Sequence, residues 1–239
     1  MEVEFSRLYH NNHTNTLLIN EAGINGKNTG LCQQYNLNGN ISHLYNYVNG
    51  NHEGHYKHWD IYGQIIQYFT KINNKLEGKA FMWHNNGQLR EEIFYVADEI
   101  EGPYRTYHEN GELKTECNYI NGKIEGTYKS YYSNGQLYEE PFYINGKIEG
   151  TYKNYHDNGE LRTECNYIDG KIEGTYKSYY INGQLYEERF YVNGKIEGIY
   201  KSYYINGQLC EERFYVNGKF EGLYKTYDQN GVLIRTMTL

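Results

Sequence analysis

The sequence lacks any long hydrophobic run. None of its apolar stretches reaches the length of a signal-peptide core or a membrane-spanning helix, and polar residues interrupt the first twenty positions. We therefore expect an intracellular protein, either cytoplasmic or assembled into a virion.

Clusters of basic residues are also missing. The 239 residues include 23 Lys and Arg against 30 Asp and Glu, which gives a formal net charge of -7 at pH 7. Nucleic acids and anionic membranes attract proteins through concentrated Lys and Arg side chains. The even spread of the basic residues argues against both classes of partner.

Reactive motifs are equally scarce. The four cysteines form no Cys-x-x-Cys pair, and Cys117 and Cys165 occupy one repeat position 48 residues apart, which is about 20 Å in a sheet and excludes a disulfide between them. There is no serine nucleophile elbow, phosphate-binding loop or zinc-protease helix motif. The sequence predicts no catalytic residue, no cofactor and no enzymatic activity.

A strict period of 24 residues is the dominant feature that is present. The dipeptide Glu-Gly recurs at this interval, at Glu53, Glu77, Glu101, Glu125, Glu149, Glu173, Glu197 and Glu221. A fixed period of this size predicts stacked units that bury their apolar sides against their neighbours. We number each repeat from the position of this Glu.

The period divides the chain into two predicted regions. Residues 1–28 are interpreted as a degenerate N-terminal repeat or cap, and residues 29–239 as the repeat array. The units of the array start at residues 29, 53, 77, 101, 125, 149, 173, 197 and 221.

The reference unit, which starts at Glu125, contains two Asn-Gly pairs, Asn134-Gly135 and Asn145-Gly146. Asn-Gly favours a two-residue type I′ hairpin turn because both residues tolerate positive φ. The predicted fold is all-β: an elongated, twisted, single-layer antiparallel meander of about nine 24-residue β-hairpin repeats. The 30 tyrosines are expected to supply much of its core.

A two-residue turn at Asn134-Gly135 sets a register that makes chemical sense. It places Lys129 opposite Glu140 as an ion pair, and it places Tyr143 opposite Gly126 so that the ring covers the glycine. Pro141 conflicts with a continuous ladder, and we expect a local bulge there. The glycines predicted to be structural are Gly102, Gly126, Gly150, Gly174, Gly198 and Gly222.

Alternation along the strands predicts two faces. One collects Tyr128, Tyr132, Leu137, Tyr143 and Ile148, and the other collects Lys129, Tyr131, Glu140 and Phe142. The second face also carries an aromatic residue at the seventh position of every repeat. We interpret this row as the candidate partner-binding surface: Trp59, Trp83, Tyr107, Tyr131, Tyr155, Tyr179, Tyr203 and Tyr227.

Three histidines could suggest a metal site. His52, His55 and His58 lie at intervals of three residues. In an extended strand, however, His55 and His58 point to opposite faces, so the three imidazoles do not converge. The sequence therefore predicts no metal site.

The residues Gly146-Lys147-Ile148-Glu149-Gly150, followed by an aromatic pair and a second Asn-Gly, resemble the MORN-type repeat. The resemblance is to the variant that also occurs in bacterial antitoxin and immunity proteins. It implies an extended sheet of hairpins, scaffolding or partner binding, frequent self-association and no chemistry of its own. Glu149 replaces the histidine of typical units, which argues against transfer of lipid binding.

The functional prediction is a non-enzymatic repeat scaffold that mediates protein–protein interaction or self-assembly, with an unknown protein or a second copy as its partner. One alternative is an antitoxin or immunity protein that occludes a toxin enzyme. Another is a membrane-associated MORN-type adaptor. The heavy use of Asn, Ile, Lys and Tyr indicates an AT-rich coding genome, as in giant viruses or AT-rich bacteria.

Overall fold

The structure is a computed structural model that describes residues 7–11, 16–20 and 29–238. All regular elements in these residues are β-strands. Most of the predicted cap, residues 1–28, lies outside the described residues.

The strands of the N-terminal half are β1 (Arg7–Asn11), β2 (Thr16–Asn20), β3 (Gly30–Tyr35), β4 (Ile41–Val48), β5 (Asn51–His52), β6 (Gly54–Trp59), β7 (Ile65–Ile72), β8 (Lys75–Leu76), β9 (Gly78–Trp83), β10 (Leu89–Val96), β11 (Glu99–Ile100) and β12 (Gly102–Tyr107). Those of the C-terminal half are β13 (Leu113–Ile120), β14 (Lys123–Ile124), β15 (Gly126–Thr127), β16 (Lys129–Tyr131), β17 (Leu137–Glu139), β18 (Phe142–Ile144), β19 (Lys147–Tyr155), β20 (Leu161–Ile168), β21 (Lys171–Ile172), β22 (Gly174–Tyr179), β23 (Leu185–Val192), β24 (Lys195–Tyr203), β25 (Leu209–Val216), β26 (Lys219–Tyr227) and β27 (Leu233–Thr238).

The chain forms two compact units. The first comprises residues 1–113 and 119–122, and the second comprises residues 114–118 and 123–239. In the first unit, the antiparallel pairing runs from β3 to β4, then to β6, β7, β9 and β10. In the second it runs from β19 to β20, β22, β23, β24, β25, β26 and β27. Both follow chain order, which confirms the predicted antiparallel meander of hairpin repeats.

The second turn of each repeat is the predicted two-residue turn. Asn145 and Gly146 have φ values of 52° and 77°, and the flanking residues Ile144 and Lys147 are paired. Positive φ at both central residues defines a type I′ turn, whose twist matches that of the strands. The sequence prediction is confirmed at this turn.

The first turn differs from the prediction. Gly135 N–H donates to the Tyr132 carbonyl and Tyr132 N–H to the Gln136 carbonyl, both at 2.9 Å, so the loop has three residues. Gly135 alone takes positive φ, at 83°. Asn134 instead accepts the Gln136 N–H on its Oδ1 at 3.0 Å and donates from Nδ2 to the Asp157 carbonyl at 2.9 Å. The type I′ turn predicted at Asn134-Gly135 is therefore wrong, because the Asn side chain, not its backbone, shapes this loop.

A β-bulge compensates for the extra loop residue. Tyr131 pairs with Leu137 and Ser130 with Glu139, which leaves Tyr138 as the additional residue. Leu137 consequently shares a face with Tyr131, which corrects its predicted placement. The same shift occurs in eight repeats, where the fourteenth position supplies the extra residue: Ser42, Ile66, Arg90, Tyr138, Arg162, Tyr186, Cys210 and Ile234.

Beyond the bulge the predicted register returns. Gly126 pairs with Tyr143, as Gly174 pairs with Tyr191. An added Cβ at Gly126 would meet no atom within 4 Å, so the tyrosine ring does not explain the glycine. The residue is needed because its φ is 82°, a conformation that costs an L-residue about 1–2 kcal/mol. The φ values lie between 74° and 82° at Gly102, Gly126, Gly150, Gly174, Gly198 and Gly222.

The Glu of Glu-Gly has a structural role. Glu125 accepts the backbone N–H of Asn145 on Oε2 at 2.6 Å, which satisfies the first residue of the type I′ turn. The same hydrogen bond, with distances of 2.7–2.9 Å, is made by Glu53, Glu77, Glu101, Glu149, Glu173 and Glu197.

Towards β15 and β16, Pro141 leaves the register unchanged, because Ser130 pairs with Glu139 and Thr127 with Phe142. Towards β19 the register shifts by two residues between Glu139–Asn154 and Phe142–Glu149, so an irregularity of the expected kind lies on that side. The same shift occurs at Arg189 and Arg213 in sister repeats, so the proline does not cause it. Proline removes one ladder donor, but its carbonyl still accepts the Tyr128 N–H at 2.9 Å. The proline ring is less than 2% exposed.

Candidate functional site

The register assigns each side chain to one of two faces. The inner face carries positions 4, 6, 15 and 17 and includes the buried residues Ser130, Cys165 and Ser178. The outer face carries positions 5, 7, 16 and 18 and includes the exposed rings of Phe142 and Phe190. The face with the charged ladder is therefore the more exposed one.

The predicted aromatic row lies on the outer face, and all eight of its members are partly exposed. Tyr131 donates its hydroxyl hydrogen bond to Glu116 at 3.1 Å, and Tyr179 donates to Glu164 at 2.6 Å. Partial burial and these carboxylates raise the pKa of both tyrosines. The row is thus anchored to the preceding repeat at alternate positions.

The ion pair predicted between Lys129 and Glu140 is present on the outer face, and the same positions pair in two later repeats. Lys129 lies 3.1 Å from Glu140, Lys177 lies 3.7 Å from Glu188, and Lys201 lies 3.9 Å from Glu212. The side chains are between 24% and 41% exposed, so each pair contributes at most about 1 kcal/mol. Their main effect is to neutralise the charges that flank the aromatic row.

On the inner face of the second unit, cations and rings alternate. Arg189 lies 4.8 Å from the ring centroid of Tyr176 and 5.8 Å from that of Tyr200. Arg213 lies 5.8 Å from Tyr200 and 5.2 Å from Tyr224. We call these five side chains the Tyr–Arg ladder; distances below about 6 Å permit cation–π attraction.

Carboxylates of the same face neutralise the ladder. Arg189 donates to Glu187, and Tyr200 donates its hydroxyl to the same carboxylate at 3.2 Å. Arg213 donates to Glu211 at 2.9 Å. Burial opposes the charge of Arg189, but the bond and attraction to Glu187 outweigh it and raise its pKa. Burial and the two nearby carboxylates raise the pKa of Tyr200 to about 12.

On the inner face of the first unit, positions 15 and 6 of adjacent repeats hold imidazoles, where the second unit has Glu187 and Ser202. The rings of His43 and His58 stack with centroids 4.0 Å apart and planes at 12°. Tyr56 lies 5.9 Å from His43 and 4.3 Å from Phe69. Burial and the neighbouring His58 lower the pKa of His43 to about 4, and burial also lowers the pKa of His58.

The three histidines considered for a metal site are separated. His58 stacks on His43, His52 packs 4.9 Å from the Tyr45 ring, and the Nδ1 atom of His55 lies within hydrogen-bond distance of the Tyr68 hydroxyl, at 2.8 Å. Within the described part of the chain, no group of three His, Cys, Asp or Glu side chains has metal-binding geometry.

A groove on the second unit is lined by three bulge residues of consecutive repeats, Tyr138, Arg162 and Tyr186. We call it the bulge groove; its volume is about 490 Å³. Asn154 and Ser178, each 9% exposed, lie at its floor. The Oδ1 atom of Asn154 and the Oγ atom of Ser178 are buried and have no hydrogen-bond partner among the residues that the structure describes.

Comparison with known families decides the class of repeat. Seven consecutive segments match the family described as MORN repeat variant: residues 76–97, 100–121, 124–145, 148–169, 172–193, 196–217 and 220–239. The chain belongs to this family. The matched MORN segments keep the 24-residue period, and each begins at the strand that leads into Glu-Gly.

Other comparisons add little to the MORN assignment. No curated protein matches the sequence. Among solved structures, a chain of the TcdB2-TccC3-Cdc42 crystal structure is similar at 11% identity, with a TM-score of 0.18. The match covers 89% of this chain and 16% of that chain, and at this score it carries no conclusion.

Sequence reasoning missed two features of the inner face. The stacking of His43 on His58 follows the pairing of position 15 with position 6 of the next MORN repeat, which also joins Glu187 to Ser202. If this strand register had been applied to the histidines in the sequence, it would have predicted that His43 and His58 lie side by side. The bulge groove had no comparable signal, because it depends on a bulge that the Asn-Gly pattern does not reveal.

The structure also gives a finding relevant to membranes. No helix in the described residues is long and apolar enough to cross a bilayer.

Proposed function

We propose that this MORN repeat protein is a non-enzymatic scaffold that binds a protein partner through its outer-face aromatic row. The observation that supports this best is the row itself: an aromatic side chain recurs once per repeat, partly exposed, on the same face as exposed phenylalanines. Aromatic residues dominate the binding energy of protein interfaces.

The surroundings of the row favour a protein partner over a charged polymer. Phe142, Phe190 and Phe214 are 46%, 46% and 41% exposed. Ion pairs such as Lys129–Glu140 leave little uncompensated charge beside these rings. Exposed apolar groups rimmed by neutralised polar groups are typical of protein-interaction surfaces.

The proposal of a non-enzymatic role rests on the placement of the paired carboxylates. Glu139 lies on the inner face and accepts from the Tyr152 hydroxyl at 2.7 Å. Glu140 lies on the outer face and pairs with Lys129. Two carboxylates on opposite faces of one sheet do not share a substrate, so an acid–base pair is disfavoured.

The partner of the scaffold is proposed to be another protein chain. Self-association is a related form of the hypothesis, since the row could contact a second copy. An antitoxin role would require a toxin enzyme as that partner. The MORN-type adaptor on a membrane is the least favoured alternative, because the net charge of -7 repels anionic lipids.

The experiment that tests the proposal changes the row at two positions. Tyr155 and Tyr203 are replaced by Ala, which removes two rings of the second unit without removing a carboxylate or lysine. Affinity capture from the native cell with mass spectrometry, together with light scattering of the purified protein, should show loss of the partner or of the oligomer.

The matched control carries Phe at Tyr155 and Tyr203, which keeps the rings and loses the hydroxyl groups. We expect this control to retain its partner. Equal capture by the Ala and Phe variants, in proteins of equal thermal stability, would rule out the row as the binding surface.

A further inference from the structure

The walls of the bulge groove are braced. Tyr138 packs edge-on against Tyr132 at 5.2 Å, and Tyr186 packs against Tyr180 at 5.0 Å. Tyr132 donates its hydroxyl to the Tyr155 carbonyl at 2.9 Å, as Tyr180 does to the carbonyl of Tyr203 at 2.8 Å. The rings at the two ends are therefore held by side chains that are themselves fixed to the next repeat.

Arg162 lines the groove between these two rings, and its guanidinium charge is not paired with any described carboxylate. Its side chain is exposed and forms no ion pair or hydrogen bond with any described residue. Arg90 occupies the same repeat position in the first unit, but its Nε lies 3.1 Å from the carboxylate of Glu91. The bulge groove thus offers a guanidinium that a ligand carboxylate can bind through two parallel hydrogen bonds.

The floor of the groove requires a ligand with both donors and acceptors. Asn154 Oδ1 needs a donor, and Ser178 Oγ can donate or accept. Buried polar atoms without partners are rare in proteins and costly, so a ligand that satisfies them gains binding energy. Both atoms are buried, so a ligand reaches them only when lining side chains of the groove move aside.

The spacing of these groups fits an extended peptide. Asn154 and Ser178 occupy the sixth position of adjacent repeats, two strands apart, which is about 10 Å in a sheet. An extended chain advances about 3.3 Å per residue, so three residues span one repeat. Its amide groups supply a donor and an acceptor at every residue. Tyr, Arg, Ser and Asn are also the residues that adaptable protein-recognition surfaces use most.

We propose that the bulge groove binds an extended peptide segment of a partner protein, with an Asp or Glu side chain of the peptide on Arg162 and its main-chain amides on Asn154 and Ser178. The inference rests on the proposed function, since it names the chemistry of the scaffold's partner. It adds a second surface, on the inner face, to the outer aromatic row.

The test uses the full chain as bait for a phage-displayed library of random linear peptides. Selected sequences are synthesised and their affinities measured by fluorescence anisotropy. We expect the selected peptides to share an acidic residue. Arg162→Gln should weaken binding by about tenfold or more, because it removes a charge-assisted pair.

The matched control is Arg90→Gln, which changes the same repeat position where the guanidinium is already paired. It should alter affinity by less than about twofold. A charge exchange gives the sharpest result: Arg162→Glu should lose the acidic peptide and gain a version with Lys in place of the acidic residue. Ser178→Ala should weaken binding more than Ser202→Ala, since Ser202 already bonds to Tyr200.

Several results would overturn the inference. They are selected peptides without an acidic residue, an equal effect of Arg90→Gln and Arg162→Gln, a library that yields no peptide for the wild-type chain, and selective binding of neutral saccharides instead of peptides. None of them affects the proposed function, which fails separately if the Tyr155 and Tyr203 variants keep every partner.

Discussion

The inner faces of the two units use one backbone for different chemistry. In the first unit, positions 15 and 6 of adjacent repeats carry His43 and His58, two imidazoles stacked 4.0 Å apart. In the second unit the equivalent pair is Glu187 and Ser202, and Glu187 holds Arg189 between tyrosines. One face relies on neutral ring packing, and the other on paired charge.

The comparison shows which residues specify the fold and which can vary. Both units share the Glu cap, the positive-φ glycine, the three-residue loop and the bulge. These features satisfy backbone groups and are independent of the side chains on the faces. The MORN template can therefore carry different surfaces, and the following variants test that separation.

The largest loss of unfolding free energy is expected from Glu187→Ala. Glu187 is only 7% exposed, and its loss leaves the guanidinium of Arg189 half-buried without its carboxylate. Removing one partner of a buried pair costs about 3–5 kcal/mol, and the partial exposure of Arg189 reduces this to about 2–3 kcal/mol. Urea denaturation should show this loss. The control is Glu188→Ala on the outer face, where the exposed pair with Lys177 should cost less than about 1 kcal/mol.

Equal costs for the two Glu variants would mean that the Tyr–Arg ladder does not depend on its carboxylates. In that case the contrast between the two inner faces would be one of packing and not of charge.

The positive-φ glycine of Glu-Gly is shared by both units, so replacing it should lower the free energy of unfolding by the same amount in each. Gly78→Ala and Gly174→Ala place a side chain at φ values of 76° and 81°, where an added Cβ meets no other atom. Each should cost about 1–2 kcal/mol of unfolding free energy through the backbone alone. Asn tolerates this conformation better, so Gly→Asn should cost less than Gly→Ala. A neutral Gly→Ala change in either unit would contradict the conformational account of Glu-Gly.

Much of this template was readable from the sequence, and its failures have a physical cause. The period, the type I′ turn at Asn145-Gly146 and the Lys129–Glu140 pair were all predicted. The prediction of a type I′ turn at Asn134-Gly135 failed because Asn-Gly is also compatible with a three-residue loop in which Gly alone takes positive φ. The bulge at Tyr138 then restores the register, so the ion pairs gave no sign of the error.

The candidate surfaces were only partly predictable. The outer aromatic row recurs at the repeat period and is visible in the sequence, whereas the bulge groove combines residues whose orientation depends on an extra residue in each hairpin. Arg162 and Arg90 occupy the same repeat position, but Arg90 contacts the Glu91 that follows it and the sulfur of Met82, whereas Thr163 follows Arg162.

A smaller effect should distinguish the two units by pH. Burial lowers the pKa of His43 from 6.5 to about 4, so the unfolded chain binds the proton first as pH falls. Stability is therefore complete above about pH 6.5 and is lost towards pH 4. Between pH 7 and 5 the loss should be about 1 kcal/mol after allowance for solvent screening.

Hydrogen exchange of the β4 and β6 amides at pH 7 and 5 measures this loss, with β20 and β22 as the internal reference. The control variants are His43→Gln and His58→Gln, since Gln67 and Gln34 occupy the same positions in sister repeats. Both should flatten the pH dependence of β4 and β6. An unchanged dependence would place the responsible proton elsewhere.

The smallest effect concerns the exposed edge of the type I′ turns. Asp169 replaces the usual Asn at the first turn position and lies 3.0 Å from Lys147, and this lysine lowers the pKa of the Asp169 carboxyl. Lys171 precedes Asn193 by the same 22 residues. Asn193→Asp should create the equivalent pair and raise the melting temperature slightly at low salt, with the gain lost at high salt because exposed charges are screened. The same change in a Lys171→Gln background should give no gain. A gain that persists without the lysine would show that Asp suits the positive-φ turn position better than Asn, a backbone effect common to both units.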